Sequence, residues 1–151
     1  PNAINKIQAS DSYYFNLKLY LSNGSRGQTP FTPAVSIILQ LQQRLKSVLE
    51  KGIENEIEHT KKMAEYFRSN LKGLPLSLFS HHMPNAMTIL KVSNQIDALD
   101  LVDKLEQESG VVVSPNGGTL KHKVFRVSHM GSMSKEYIDV LINALSRYYE
   151  K

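Results

Sequence analysis

An arginine inside a short apolar run is the first residue of this sequence whose type and position could do chemistry. It is Arg126, in the stretch KHKVFRVSHMG, and the residues around it are typical of a buried strand. Alternation along a strand places Val124, Arg126 and Ser128 on one face. Phe125 and Val127 then lie on the other face. Because burying an unpaired charge is costly, the arginine must either reach water or meet an anion.

Two interpretations of Arg126 follow from this placement. In the first, its face of the strand is solvated and the residue is an ordinary surface arginine, which spacing alone favours because arginine is mostly exposed in proteins. In the second, the residue forms an anion site. A planar guanidinium on a rigid strand can hold a carboxylate through two parallel hydrogen bonds.

The stretch GQTPFTP at residues 27–33 is the second candidate. It can be a loop that leads into a capped helix, with Thr32 as the N-cap and Pro33 in the first turn. The hydroxyls of Thr29 and Thr32, with the free N–H groups of the following helix, can also form a seat for a phosphate. The stretch by itself fits both a simple loop before a capped helix and a phosphate site.

The histidines offer a weaker candidate. His81 and His82 are adjacent in a loop, and His122 and His129 flank the last strand. Two of them could meet at a metal, but no His-x-x-x-His pair is present and no carboxylate stands at ligand spacing. Surface or loop positions are the favoured interpretation. The spacing supports neither a Ser-His-Asp triad nor a pair of catalytic carboxylates.

Composition limits the class of protein. The 151 residues suit about one domain, and 41% hydrophobic with 21% charged residues is ordinary for a globular protein. The net charge of +4 comes from scattered lysines, which does not favour nucleic-acid binding. The absence of cysteine excludes disulfides and thiolate chemistry. No apolar run approaches the ~20 residues that cross a bilayer, so we expect no membrane association and a cytoplasmic protein.

The elements that must position these residues can be read from periodicity. Residues 13–21 are aromatic and β-prone, and 22–30 form a loop. Apolar residues at helical spacing then predict two long helices, followed by alternating shorter elements. The predicted segments are helices at 33–51 and 53–72, strands at 85–92, 111–114 and 124–129, a turn at 115–118, and helices at 97–110 and from Ser134 onward. The predicted fold class is α/β, with long connecting helices followed by a small β-α-β-β-α domain.

The two ambiguous candidates occur together in one known family. The stretch GQTPFTPAV before two long helices, and FRVSHMG before a terminal helix, resemble the class V (fold type I) aminotransferases that use pyridoxal phosphate. The chain is most similar to the serine–pyruvate, alanine–glyoxylate and 2-aminoethylphosphonate branch, over about residues 13–151. Ser128 stands where this family commonly has glycine, which could alter the local backbone.

The resemblance implies roles for these residues. The arginine of this block binds the α-carboxylate of the amino-acid substrate, a role that falls on Arg126. The threonine-rich loop helps to hold the cofactor phosphate in the neighbouring subunit of a homodimer, a role that falls on Thr32, with Thr29 and Gln28 beside it. The implied partners are an amino acid, a 2-oxo acid and a second copy of the enzyme, and the implied cofactor is pyridoxal 5′-phosphate.

The resemblance also implies that the chain is the carboxyl-terminal portion of such an enzyme, without activity by itself. The Schiff-base lysine of the family lies upstream of the region that matches residues 1–20. Residues 1–32 would be the tail of the large domain and the inter-subunit loop, 33–72 the connecting helices, and 73–151 the small domain. The alternatives are a stand-alone α/β module that binds a ligand or partner, and a class V lyase or desulfurase, which usually needs a cysteine that this chain lacks.

Overall fold

The computed structural model describes residues 2–6 and 12–150, which form two compact units divided between Glu50 and Lys51. The second unit contains three helices and a four-stranded sheet. The first unit holds α1 (Asn2–Asn5), α2 (Leu17–Gly24) and α3 (Val35–Lys51), whose last residue lies past the division. The second holds α4 (Ile53–Ser69), β1 (Leu76–Leu78), β2 (Met87–Val92), α5 (Ala98–Ser109), β3 (Ser114–Pro115), a 3-10 turn (Gly118–Leu120), β4 (Val124–Ser128) and α6 (Lys135–Tyr149).

Helix α2 corrects the β-prone interpretation of residues 13–21. Asn16 begins the helix, and its side-chain oxygen accepts a hydrogen bond from the Leu19 N–H at 3.2 Å. This cap satisfies a backbone donor that the first turn of a helix leaves unpaired. The aromatic residues at 13–15, which suggested a strand, precede the cap and lie outside the helix.

Helix α3 begins two residues later than the sequence predicts. The Val35 N–H donates to the Pro33 carbonyl at 2.8 Å, and the first helical bond runs from Ile38 to the Ala34 carbonyl. The expectation that Thr32 caps this helix is therefore wrong, because Ala34 holds the capping position. The helix ends as predicted at Lys51, where Gly52 adopts a positive φ of 85°. No residue of α3 is buried.

Helix α4 supplies one layer of the second unit's core. Met63, Ala64 and Phe67 are its buried residues. It ends at Ser69, three residues before the predicted end, and Asn70 is its C-cap. Its last turn carries Arg68, which directly follows the buried Phe67 in the sequence.

The sheet has the order β1-β2-β4-β3, and every neighbouring pair is antiparallel. The sequence predicted three of these strands and missed β1, a three-residue edge strand in which Leu76 pairs with Val92. The predicted strand 111–114 is reduced to Ser114 and Pro115. The cause is the left-handed Gly110 that ends α5, because the following Val111 N–H turns back to the Leu105 carbonyl and leaves the ladder.

The core lies between one face of the sheet and the helices. Register places Leu90 opposite Phe125 and Thr88 opposite Val127, and all four side chains are buried. Helix α6 packs against this layer through Ile138, Leu141, Ala144 and Leu145. Within the described ranges, no helix combines the length and apolar character needed to cross a membrane.

Candidate functional site

Arg126 lies on a central strand of the sheet. It is paired with Ile89 of β2 on one side and Ser114 of β3 on the other. Phe125 and Val127, its neighbours along the strand, point into the core as predicted. Arg126 itself is half-buried on the opposite face. The strand therefore holds the backbone of the arginine in a rigid setting.

The guanidinium of Arg126 is only partly engaged by the protein. Its Nη2 donates to the Pro115 carbonyl at 2.9 Å, which holds the head group against β3. Its Nε is buried and has no hydrogen-bond partner among the described residues. No carboxylate in the described part of the chain forms an ion pair with it. A buried donor without a partner carries a desolvation cost that a ligand can relieve.

A cleft opens beside Arg126, between the β3 edge of the sheet and α6. It has a volume of about 330 Å³, at the lower end of the range of small-molecule sites. Its lining is mostly apolar. The lining residues are Gly110, Val111, Val112, Val113, Ser114, Arg126, Val127, Ser128, Met133, Tyr137, Ile138, Val140 and Leu141. A cation beside apolar lining residues suits a small molecule that has a carboxylate group and a short side chain.

The other candidate residues lie in the first unit, in the loop between α2 and α3. The Thr29 hydroxyl donates to the Phe31 carbonyl at 2.8 Å, and the Gln28 N–H donates to the Asn23 carbonyl at 3.0 Å. Gln28, Thr29 and Thr32 are all exposed. The loop therefore presents the Gln28 side chain and the Thr32 hydroxyl as donors that suit a phosphate, whereas the Thr29 proton is already donated to Phe31. The N-terminus of α3 does not contribute through a Thr32 cap.

An aromatic cluster that the sequence interpretation missed supports this loop. The Phe31 ring stacks on Tyr14 at 5.0 Å and contacts Tyr13 at 5.0 Å and Tyr20 at 6.2 Å between ring centroids. The density of tyrosine and phenylalanine at 13–20 was the available signal. These contacts anchor the middle of the loop, between the two threonines.

The placement of His129 is the main correction at this site. We expected a surface or loop histidine, but the residue is fully buried. Its Nε2 lies 2.7 Å from the hydroxyl of the buried Thr88, and that hydroxyl accepts a bond from Arg68 Nε at 2.9 Å. Burial, with a smaller contribution from the Arg68 charge, lowers the pKa of His129 to about 4. The imidazole is therefore neutral at physiological pH.

The other histidines of the predicted loops are exposed. His81 and His82 lie in the loop before β2, and His122 pairs with the Asp97 carboxylate at 2.7 Å. Asp97 also begins α5 by accepting from the Leu99 N–H, and this bond is the main reason why the pKa of its carboxyl is lowered. In residues 2–6 and 12–150, no three metal-ligating side chains lie together.

Comparison with known proteins gives consistent matches over most of the chain. The family profile described as aminotransferase class I and II matches residues 16–145. An uncharacterized aminotransferase of Methanocaldococcus jannaschii is 29% identical over 85% of this chain and 34% of its own length. The alanine–glyoxylate aminotransferase of Callithrix jacchus is 30% identical over 89% of this chain and 34% of its own length.

A solved structure shows the same fold. The alanine–glyoxylate aminotransferase of Nostoc sp. superposes with a TM-score of 0.80 at 24% identity, covering 96% of this chain and 40% of that one. The chain spans about a third of the length of the curated relatives that it matches. These matches confirm the resemblance inferred from the sequence and the predicted fold class.

Proposed function

Because this chain belongs to the family of class I and II aminotransferases, whose cofactor is pyridoxal 5′-phosphate, we propose that it is the carboxyl-terminal part of a class V aminotransferase. The enzyme would move an amino group from a small amino acid to a 2-oxo acid. The observation that carries the proposal is the half-buried Arg126, whose guanidinium lies at a 330 Å³ cleft without a carboxylate partner among the described residues.

Arg126 has the chemistry to bind the α-carboxylate of both substrates. Its charge persists at any physiological pH, and its planar N–H donors match the two oxygens of a carboxylate. The bond from Nη2 to the Pro115 carbonyl fixes the plane of the head group before a substrate arrives. Such prior orientation reduces the entropy lost on binding. The apolar walls of the cleft suit a substrate with a small, uncharged side chain.

The loop between α2 and α3 is proposed to hold the cofactor phosphate. The proposed contacts are the side chains of Thr32, Thr29 and Gln28, all of them exposed. Thr29 would donate to the phosphate by turning its hydroxyl proton away from the Phe31 carbonyl. Pyridoxal phosphate supplies an electron sink for bond cleavage at the α-carbon of an amino acid. The proposed contribution of this chain is to bind and orient: the loop toward phosphate and Arg126 toward the substrate carboxylate. The division at residues 32 and 72 into large-domain tail, connecting helices and small domain is part of the same proposal.

The chain alone should be inactive. We expect no transfer of an amino group from alanine to glyoxylate and no covalent attachment of pyridoxal phosphate. The reason is that none of its lysines lies in a stretch that resembles the sequence around the family's Schiff-base lysine. The measurement is borohydride reduction of the chain with cofactor, followed by mass spectrometry. A single modified lysine together with measurable transamination would contradict this proposal. Tight carboxylate binding without any cofactor would favour the stand-alone binding module.

A cytoplasmic homodimer is the proposed state of the enzyme, and the chain itself should self-associate. Helices α2 and α3 have no buried residue, and their apolar side chains are widely exposed, as with Ile38 at 55%, Leu41 at 56% and Leu45 at 52%. An exposed apolar surface of this extent usually marks a site where another protein surface binds. Light scattering should show a mass above that of one chain, increasing with concentration.

A matched pair of variants tests this self-association. Leu41→Glu with Leu45→Glu places charge on the stripe and should restore a monomer. Glu54→Gln with Glu65→Gln changes two exposed residues of α4 and should leave the association unchanged. A wild-type chain that stays monomeric at millimolar concentration would exclude pairing through the α3 stripe.

A further inference from the structure

A network of buried polar side chains lies on the core side of the sheet, outside the proposed substrate and phosphate contacts. It consists of Arg68 on α4, Thr88 on β2 and His129 at the end of β4. Thr88 and His129 are the buried polar residues of the described part of the chain. Buried polar groups are costly unless they are paired, so this set requires a physical reason.

The bond from Arg68 fixes one end of this hydrogen-bonded network. Arg68 Nε can only donate, so the Thr88 hydroxyl oxygen accepts from it at 2.9 Å. The hydroxyl proton of Thr88 can then be donated to His129 Nε2, 2.7 Å away. In this arrangement the ring proton of a neutral His129 is on Nδ1, which is buried and has no partner among the described residues. With the ring proton on Nε2 instead, the Thr88 oxygen would accept from both neighbours.

The same three residues connect α4 to both central strands. Besides Thr88, Arg68 binds the Pro84 carbonyl at 2.8 Å and the Met87 carbonyl at 3.3 Å, which holds the entry to β2. The His129 N–H donates to the Ala86 carbonyl at 2.9 Å, continuing the pairing of β4 with β2. The His129 ring packs on Phe67, with centroids 5.3 Å apart. One network thus joins α4, the start of β2 and the end of β4.

Arg126 lies on the opposite face of the strands that this network joins. Thr88 pairs with Val127, and the next pair along the ladder is Ile89 with Arg126. The core side of the ladder is therefore fixed by Thr88 and His129. The outer side is fixed by the bond from Arg126 to the Pro115 carbonyl. Any slip of β4 against β2 would rotate the guanidinium away from the cleft.

We propose that Arg68, Thr88 and His129 are positioning residues for Arg126, holding β4 in register with β2 and fixing the guanidinium at the cleft. Their place in a catalytic cycle rests on the proposed role of Arg126. Their effect on the geometry of Arg126 does not, and it can be measured in the 151-residue chain without substrate or cofactor.

The first test is the tautomer of His129, measured by nitrogen NMR of the histidine rings in the wild-type chain at neutral pH. The expected result is a protonated Nδ1 and an unprotonated Nε2 for His129. A protonated Nε2 would overturn the arrangement in which Thr88 donates to His129. This measurement needs no variant, so it stands even if a substituted protein does not fold.

The second test removes the middle of the network. Thr88→Val keeps the shape and deletes the hydroxyl, and Thr88→Ser restores it as a matched control. The readout is hydrogen exchange of the buried Arg126 Nε–H, which we expect to accelerate at least tenfold in Thr88→Val and to remain near wild type in Thr88→Ser. Arg68→Lys, which loses the Nε donor but keeps the charge, should act in the same direction. Unchanged exchange in folded Thr88→Val or Arg68→Lys protein would refute the positioning role.

Kinetics of the proposed full-length enzyme, of which this chain would be the carboxyl-terminal part, distinguish this inference from the proposed function. There, Thr88→Val should increase KM for an amino acid severalfold with little change in kcat, and Thr88→Ser should reverse the increase. If substitution of Arg126 matters and Thr88→Val leaves KM unchanged, the positioning role is wrong and the substrate role stands. If substitution of Arg126 has no effect on carboxylate substrates, the proposed function fails, whatever the NMR measurements show.

Discussion

Replacing Arg126 with alanine in the assembled enzyme should lower kcat/KM for an amino-acid substrate by one to several orders of magnitude. The substitution removes both the charge and the paired N–H donors. Hydrogen bonds to charged groups are each worth about 1.5–3 kcal/mol, and about 1.4 kcal/mol corresponds to a factor of ten. Arg126→Lys keeps the charge but loses the planar two-point contact, so its defect should be smaller than that of Arg126→Ala. Steady-state kinetics with alanine as the donor measures both.

The decisive comparison uses the same amine with and without its carboxylate. If Arg126 binds the carboxylate, the variants lose activity on the amino acid far more than on the amine. Lys91→Ala is a matched control, because Lys91 is an exposed cation on the same face of the sheet, two positions from the residue opposite Arg126. Equal losses on the two substrates would falsify the carboxylate contact. A lowered melting temperature with normal kinetics would make Arg126 a purely structural residue.

Acidification should destabilise the second unit through His129. Its pKa is about 4 in the folded chain against an ordinary value of 6.5, so the folded state disfavours the proton. The stability is fully present above about pH 6.5 and is lost as the pH falls toward 4, because the unfolded chain binds the proton first. One pKa unit corresponds to about 1.4 kcal/mol, so the free energy of unfolding should fall by about 3 kcal/mol across this interval.

Urea unfolding at several pH values measures this loss. His129→Gln removes the titrating ring but keeps a group that can accept from Thr88, and it should flatten the pH dependence between 6.5 and 4. His81→Gln, a change at an exposed loop position, should keep the wild-type slope. A slope that survives unchanged in His129→Gln would show that other groups are responsible.

The parts of the fold that sequence predicted best are those with strong periodicity. Helices α3 to α6 were found within a few residues because their apolar positions repeat at helical spacing and because Asp97 and Gly110 mark the ends of α5. The alternation of β4 placed Phe125 and Val127 in the core and Arg126 outside it. The single pattern thus identified both the strand and its exceptional residue.

The errors have local physical causes. At 13–21 the β propensity of the aromatic residues favours a strand, but the side chain of Asn16 caps a helix there. The short edge strand β1 has too few residues for alternation to be visible. His129 has the same strand parity as Phe125 and Val127, so continuing the alternation by one step would have placed it in the core. The resemblance to a family pointed to Arg126, whereas Arg68 and Thr88 could be associated with it only through the paired strands.

The exposure of α3 has a consequence for the order in which the chain becomes ordered. A helix of 17 residues is marginal in water when nothing packs on it, because nucleation is costly and propagation adds little per residue. Amide protons of α3 should therefore exchange quickly, through local opening of the helix. Those of β2 and β4 should exchange slowly, because their exchange requires opening of the buried core. During synthesis this segment emerges before the residues that build the second unit, so α3 should remain a fluctuating helix until an apolar surface packs against it.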